Sequence, residues 1–118
     1  MKVMDIVAHI LKLEHVEFLT GFPHNQVIDS CSAVGIRPII TRTERVAINM
    51  ADGFSRMSNN KAIGVCAVQY GPGVENGFGA IAQAYADASN ILVIPGGYDS
   101  HETGVAPNFQ AVENLRSV

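Results

Sequence analysis

Two apolar patterns of different period alternate along this chain, and their alternation constrains the fold more than any other feature. Apolar residues recur at helical spacing four times, and a short apolar run suited to a β-strand follows each time. The helical stretches are 3–13, 27–34, 46–54 and 74–85, and the short runs are 16–19, 38–40, 63–68 and 91–94. Because parallel strands need crossover connections, this alternation predicts an α/β domain with a mainly parallel sheet in three α/β/α layers.

Turn residues divide these segments. Glycine, proline or asparagine follows most of them, at Gly21-Phe22-Pro23, Gly35, Asn59-Asn60, Gly71-Pro72-Gly73 and Pro95-Gly96-Gly97. Thr41 or Thr43 is placed to cap the third helix. The polar segment 98–108 predicts a loop, and 109–115 predicts a final helical turn. Since α/β domains usually finish on a strand or a docked helix, we expect residues 1–118 to form a single domain that is truncated at its C-terminus.

Composition narrows the class of protein. Hydrophobic residues make up 47% of the chain and charged residues 16%, which is typical of a packed domain. A net charge of −3 gives no electrostatic reason to expect nucleic acid or an anionic membrane as a partner. The N-terminal apolar positions are interrupted by charges, which argues against a signal peptide or a membrane span. Cys31 and Cys66 match no zinc spacing, so we expect reduced core thiols and a cytoplasmic location.

The Gly71-Pro72-Gly73 turn is the first candidate site. It lies between a predicted buried strand and a helix, at the sheet edge where open α/β folds bind ligands. Glycine would allow a ligand close to the backbone, and a helix N-terminus offers free N–H groups. The same residues also suit an ordinary strand-to-helix turn with Pro72 at the helix start. Taken alone, the motif favours the ordinary turn.

Glu44 is the second candidate, and the same sheet edge should hold it. It follows the predicted strand 38–40 and begins the third helix. One interpretation is a functional carboxylate beside the glycine turn. The other is a surface acid that complements the positive end of the helix dipole. Spacing alone leaves both interpretations open.

Four motifs, in order, resemble those of a known family along nearly the whole chain. Gly21-Phe22-Pro23 resembles a Gly-x-Pro turn, and Glu44 with Ala51 to Arg56 resembles the pattern E-x-x-A-x-x-M-A-D-G-[YF]-x-R. Gly71-Pro72-Gly73 with Asn76 is similar to G-P-G-x-x-N, and Ala84 to Asp87 followed by 91–96 resembles an A-x-x-D helix end and its strand. These motifs resemble those of the pyrimidine-binding domain of thiamine-diphosphate-dependent enzymes of the acetolactate-synthase-like and 2-keto acid decarboxylase group.

The resemblance implies a function for these residues. Glu44 matches the catalytic glutamate, which hydrogen-bonds the cofactor's aminopyrimidine and so promotes loss of the thiazolium C2 proton. The cofactor-binding residues implied by the resemblance are Pro23, Glu44, Gln69, Gly71, Pro72, Gly73 and Asn76.

The chain departs from the family pattern at His24 and at Gln69-Tyr70. These residues, and His101 in its loop, are candidates for tuning substrate contact. Simpler interpretations are a helix-capping His24, a structurally hydrogen-bonded Gln69 and a solvent-exposed His101.

A second domain is also implied. Relatives bind Mg²⁺ and diphosphate through a domain with a G-D-G motif, which this chain lacks, and Ala51-Asp52-Gly53 does not replace it. We therefore expect no metal site here, no turnover by the chain alone, and a diphosphate-binding domain as partner, usually from another subunit of a dimer or tetramer. A naturally split enzyme of the sulfopyruvate decarboxylase kind is a variant of this prediction. Two further interpretations are a noncatalytic module that binds phosphate or a nucleotide at the Gly71 turn, and a degenerate structural domain.

Overall fold

Helices and strands alternate as the apolar periods predict. The structure is a computed structural model, and it describes residues 2–23 and 25–97. The elements are α1 (Val3–Leu13), β1 (Phe18–Gly21), α2 (Val27–Ala33), β2 (Arg37–Ile40), α3 (Glu44–Met57), β3 (Gly64–Val68), α4 (Pro72–Ala86) and β4 (Ile91–Pro95). The predicted loop 98–108 and helical turn 109–115 lie outside the described residues. The predicted α/β class is confirmed.

The four strands form one parallel sheet in the order β2-β1-β3-β4. Thr20 of β1 is in register with Ile39 of β2 on one side and with Cys66 of β3 on the other. β3 pairs with β4 along its whole length. The connection from β2 to β3 therefore passes across β1, and all connections are crossovers that include a helix.

Both faces of the sheet are covered by helices, which makes the three layers. α1 and α2 form one hydrophobic core with Leu19, Val65 and Ala67, and α3 and α4 form another with Cys66 and Val68. Successive side chains of a strand point to opposite faces, so β3 supplies both cores and all five of its residues are buried. This explains why its sequence is a continuous apolar run rather than an alternating one.

The strand order creates a crevice at the carboxyl ends of β1 and β3. β1 connects through α2 to β2 on one side, whereas β3 connects through α4 to β4 on the other side and over the opposite face. The two chain segments leaving these strands diverge, and ligands of open α/β sheets bind at such a divergence. The segments that flank this crevice are Gly21-Phe22-Pro23 and Gly71-Pro72-Gly73.

The first strand differs from its prediction. The apolar run predicted a strand over 16–19, but β1 covers Phe18–Gly21. The reason lies in the end of α1: His15 adopts a positive φ of 61°, and the amide of Val16 donates to the carbonyl of Leu11 at 3.0 Å. Val16 is buried in the core but its backbone terminates the helix. Apolar pattern alone does not distinguish these two uses of a buried valine.

The two cysteines are free and buried, as predicted. Burial raises the pKa of the Cys66 thiol to about 12, so it behaves as an apolar core side chain. In the described part of the chain, no helix combines the length and apolar character needed to cross a bilayer.

Candidate functional site

Glu44 is the first residue of α3, and its side chain is buried. Thr43 caps the helix by accepting a hydrogen bond from the amide of Val46 at 3.3 Å, which identifies Thr43 rather than Thr41 as the cap. Glu44 is only 4% exposed. The interpretation of Glu44 as a surface acid is therefore wrong, although its position still gains from the positive end of the helix dipole.

The carboxylate of Glu44 lies against the first turn of α4. Asn76 donates its side-chain amide to Glu44 Oε2 at 3.3 Å. A Cβ placed on Gly73 would be 3.1 Å from Glu44 Oε1 and 2.9 Å from the Cβ of Gln69. Glycine at position 73 is thus what allows the carboxylate this close to the helix backbone. Glu44, Gln69, Gly73 and Asn76 form one group of neighbouring residues, which we call the Glu44 cluster.

No cation neutralises this carboxylate in the part of the chain that the structure describes. Glu44 forms no ion pair within residues 2–23 and 25–97, whereas Arg56 pairs with two other acids, Asp52 and Asp87. Asn76 is a neutral donor, so it orients the carboxylate without fixing its charge.

The turn between β3 and α4 requires its glycine. Gly71 has φ 57° and ψ −109°, a conformation that side chains rarely adopt, and Pro72 then begins α4 with its φ already fixed. The amides of Gly73, Val74 and Glu75 donate to the carbonyls of Tyr70 or Gly71 at 2.9 to 3.4 Å. Pro72 has no amide hydrogen. The first turn of α4 therefore has few free N–H groups to offer an anion.

The remaining predicted site residues lie at the same sheet edge. Pro23 follows β1 and is exposed. The loop that contains Pro23 is linked to β3, a neighbour of β1 in the sheet, because the amide of Phe22 donates to the carbonyl of Ala67 at 3.1 Å. The end of β1 is also joined to the start of α3, since Thr41 donates to the Gly21 carbonyl from both its amide, at 2.8 Å, and its hydroxyl, at 3.1 Å. The contacts that define the Glu44 cluster do not involve Pro23.

Of the four residues considered for substrate contact, Gln69 belongs to the Glu44 cluster and Tyr70 is the other one that the structure describes. Tyr70 is half-buried, and its ring lies so close to Gly96 that a Cβ there would be 2.9 Å from Tyr70 Cδ1. Tyr70 thus packs over the end of β4. His24 and His101 lie outside the described residues.

Asn25 was not among the residues predicted from the sequence. Its side-chain amide donates to the carbonyls of Val68 and Ile94, both at 2.9 Å, and its carbonyl oxygen accepts from the amide of Val27 at 3.1 Å. A polar side chain directly after a predicted strand and turn was the available signal. Its partners are 43 and 69 residues away, however, and no local pattern predicts such contacts.

A second buried acid of α3 was also missed. Asp52 is 2% exposed and pairs with Arg56 at 2.9 Å, and Arg56 also reaches Asp87 at the end of α4 at 2.6 Å. The Arg56 guanidinium, helped by hydrogen bonds from Ser89 and Gln83, holds the pKa of Asp52 below its usual value. The spacing of Asp52 and Arg56, four residues apart in a helix, was the available signal. Among the described residues there is no cluster of ligands suited to a metal ion.

The chain matches a known family over most of its length. Residues 1–115 match the model of the family "Thiamine pyrophosphate enzyme, N-terminal TPP binding domain". The chain is 34% identical to the acetolactate synthase large subunit of Haemophilus influenzae over 94% of this chain and 20% of that protein. It is 53% identical to "Probable 2-ketoarginine decarboxylase AruI" of Pseudomonas aeruginosa, over 77% of this chain and 14% of that protein.

A third relative is 2-hydroxyacyl-CoA lyase 2 of Danio rerio, which is 36% identical over 78% of this chain and 15% of that protein. The chain thus spans about a fifth or less of the length of these three relatives. The family match, the order of the motifs and the three-layer fold agree with one another. This chain belongs to the thiamine pyrophosphate enzyme family, as its N-terminal TPP binding domain.

Proposed function

We propose that this chain is the pyrimidine-binding and cofactor-activating domain of a thiamine-diphosphate-dependent enzyme, with Glu44 as its catalytic residue. The observation that carries the proposal is the buried Glu44 carboxylate, which faces the backbone at Gly73 and accepts a hydrogen bond from a neutral amide. Such a carboxylate can share a proton with a ring nitrogen of modest basicity, which an exposed carboxylate does poorly. Thiamine diphosphate, when bound, supplies the electron sink for cleaving or forming bonds next to a carbonyl group.

The chain's own residues have separate tasks in this proposal. Glu44 accepts or returns a proton at its carboxylate, and Asn76 fixes the orientation of that carboxylate through Oε2. Gly71 sets the direction of the turn, Pro72 begins the helix, and Gly73 keeps the space beside Glu44 free of a side chain. Gln69 borders the same space. Pro23 would hold the cofactor from the β1 side of the crevice.

The printed names of two relatives support a proposal for the substrate class. One relative is named for acetolactate synthesis and another for decarboxylation of 2-ketoarginine, so we propose a 2-keto acid as the substrate and decarboxylation or carboligation as the reaction. The Glu44 cluster is compatible with either reaction, because proton transfer to and from the cofactor is common to both. The substrate side chain would be recognised by other residues.

In this proposal, another domain of the enzyme supplies the diphosphate and Mg²⁺ binding that the residues of this chain do not provide. The relatives are about five or more times as long as the matched region, and we propose that the additional part includes a diphosphate-binding domain that holds Mg²⁺. Mg²⁺ is bound through phosphate and carboxylate oxygens, which are hard ligands. We further propose a dimer or tetramer in which the active site is shared between subunits, in the cytoplasm, where the free Cys31 and Cys66 would stay reduced.

A phosphate-binding module at the Gly71 turn is the competing function. Two observations weigh against it. The amides of Gly73, Val74 and Glu75 already donate to backbone carbonyls. The Glu44 carboxylate also lies beside the same turn, where it would repel an anion. Calorimetry of the chain with inorganic phosphate and with pyrophosphate tests this function: heat of binding with micromolar affinity would favour the module.

The central experiment measures deuterium exchange of the cofactor's thiazolium C2 proton in the complete enzyme that contains this chain. We expect Glu44→Gln to slow this exchange by about 10²–10⁴-fold, the usual contribution of a positioned acid or base. Asp52→Asn is the matched control, because it neutralises the other buried acid of the same helix and should leave the exchange rate of the folded enzyme unchanged. Wild-type exchange in Glu44→Gln would contradict the proposed function.

A further inference from the structure

The Asn25 side chain links β3, β4 and α2 at the carboxyl-terminal edge of the sheet. Its amide nitrogen donates to Val68, the last residue of β3, and to Ile94, near the end of β4. Its side-chain oxygen accepts from the amide of Val27 at the start of α2. Both the donor and the acceptor of this side chain are therefore used, and a single residue between β1 and α2 links the ends of β3 and β4.

The two carbonyls that Asn25 binds stand next to the candidate site. The chain runs from Val68 directly into Gln69 and the Gly71 turn, which border Glu44. The Val68 carbonyl also accepts from the amide of Gly96 at 3.0 Å, so both of its acceptor positions are occupied. The backbone hydrogen bonds between β3 and β4 end at this carbonyl. The Asn25 side chain donates to the same carbonyl from the segment that follows β1.

From these contacts we infer that Asn25 is a positioning residue for the cofactor pocket, an inference that rests on the proposed function. Asn25 acts through the ends of β3 and β4, and through them it holds Gln69 and Gly73 at the distance from Glu44 that the pocket requires. Asn25 lies outside the four sequence motifs. Its role comes instead from contacts between distant parts of the sequence.

Three substitutions separate the strand contacts from the contact to α2. Asn25→Asp keeps an oxygen that can accept from Val27, but it loses both donated bonds and places a carboxylate against two carbonyls. Asn25→Ala loses all three bonds. Asn25→Ser adds no charge and keeps an oxygen that can accept, while one donor on a shorter side chain replaces the two amide N–H donors, so it remains informative if Asn25→Asp fails to fold.

Asn90→Asp is the matched control at the opposite sheet edge. The Asn90 amide donates to the carbonyl of Asn60 at 3.2 Å, and its backbone amide donates to the Asn60 side chain. This substitution therefore also removes an amide donor from a backbone carbonyl and adds one negative charge. It does so just before β4 begins, away from the Glu44 cluster.

The first readout is the thiamine diphosphate concentration that half-saturates the complete enzyme, followed by the rise in Tm on adding the cofactor. We expect Asn25→Asp and Asn25→Ser each to raise half-saturation about ten-fold and to shrink the cofactor-dependent rise in Tm. Asn90→Asp should change the Tm of the cofactor-free enzyme but not the half-saturation. Wild-type half-saturation in both Asn25→Asp and Asn25→Ser, or a defect confined to Asn25→Ala, would overturn the inference.

The second readout needs no cofactor. Hydrogen exchange of the cofactor-free enzyme should be faster in Asn25→Asp at the amides of 69–73 and 96–97, and unchanged there in Asn90→Asp. Unchanged exchange at those amides would also overturn the inference. If the wild-type enzyme binds no thiamine diphosphate although Asn25→Asp loosens these segments, the proposed function has failed and Asn25 is a structural residue only.

Discussion

Helix α3 carries two buried carboxylates in opposite surroundings. Glu44 is 4% exposed and Asp52 is 2% exposed, and about 12 Å of helix separates them. Asp52 is ion-paired to Arg56, which is shared with Asp87 of the neighbouring helix. Glu44 instead receives a hydrogen bond from the neutral amide of Asn76. The same helix thus buries one acid with a cation and the other without one in the described part of the chain.

The two acids differ in whether the buried carboxylate is paired with a cation among the described residues. A buried charge is costly unless it is paired, and Arg56 meets that requirement for Asp52 while joining the ends of α3 and α4. The neutral partner and the close backbone at Gly73 leave the carboxylate available to a ligand group. Among the described residues, the lack of a cation beside Glu44, rather than burial itself, distinguishes the site.

Among the substitutions that leave both buried acids in place, the largest effect should follow from filling the space beside Glu44. Gly73→Ala would place a methyl group 3.1 Å from Glu44 Oε1 and 2.9 Å from Gln69 Cβ, so the Glu44 carboxylate must move and, because a Cβ is fixed to its own backbone, the backbone at position 69 or 73 must shift as well. We expect about a 10²-fold slower C2-proton exchange in the complete enzyme and a loss of about 1–3 kcal/mol in the free energy of unfolding.

The matched control for this change is Gly79→Ala in the same helix. Among residues 2–23 and 25–97, its new methyl group would meet the Arg45 side chain at 3.6 Å, which is an ordinary contact. Gly79→Ala should leave the exchange rate unchanged. Equal rates in Gly73→Ala and the wild type would show that the space beside Glu44 has no role in catalysis.

The next largest effect should be the loss of stability caused by Asp52→Asn. Asp52→Asn removes a charged hydrogen bond to Arg56, and we expect a loss of about 1–3 kcal/mol in the free energy of unfolding, measured with urea. Glu44→Gln is the same chemical change eight residues earlier and has no cation to leave unpaired among the described residues. Glu44→Gln should therefore lower the free energy of unfolding by less than Asp52→Asn does. A larger loss of stability in Glu44→Gln would reverse the structural and reactive roles given to the two acids.

The pH dependence of the stability against urea should reflect the ionisation of Asp52, the acid that is paired with Arg56. The pKa of Asp52 in the folded chain is below its usual value of 3.8, so the unfolded chain takes up a proton first as the pH falls. The stability due to Asp52 is complete above about pH 4 and is lost as the pH falls through the lower, folded pKa. The difference in urea midpoint between the wild type and Asp52→Asn should therefore shrink as the pH falls below about 4. A constant difference would exclude this linkage.

The smallest effect should be a gain in stability next to Asp52. Gly53 lies inside α3, and a Cβ there would meet no atom of the other described residues within 4 Å, the helix's own nearby backbone aside. Gly53→Ala should raise the free energy of unfolding by about 0.5–1 kcal/mol, because alanine loses less backbone freedom in a helix. Its C2-proton exchange should equal that of the wild type. A loss of stability would mean that this surface of α3 is covered in the complete enzyme.

Most of the fold was predictable from the sequence because the evidence for it is local. The four helical stretches and four strands were recognisable from their periods, and Gly35, Asn59 and Asn60 marked helix ends where the structure has positive φ. Errors occurred where a local pattern has two uses, as at Val16, whose amide ends α1 instead of beginning β1. From the sequence, either Thr41 or Thr43 could have capped α3. In the structure the Thr43 hydroxyl accepts from the amide of Val46, whereas the Thr41 hydroxyl donates to the carbonyl of Thr43.

The sequence by itself determined the alternating α/β order, the glycine turn after β3 and the position of Glu44 at the start of a helix. These follow from apolar period, turn chemistry and spacing, which act over a few residues. Tertiary structure alone decided that Glu44 is buried beside a neutral amide, that Asp52 is buried beside a cation, and that Asn25 binds the ends of β3 and β4. The partners of Glu44 and Asn25 are 32, 43 and 69 positions away, and only the packing of the helices on the sheet brings them together.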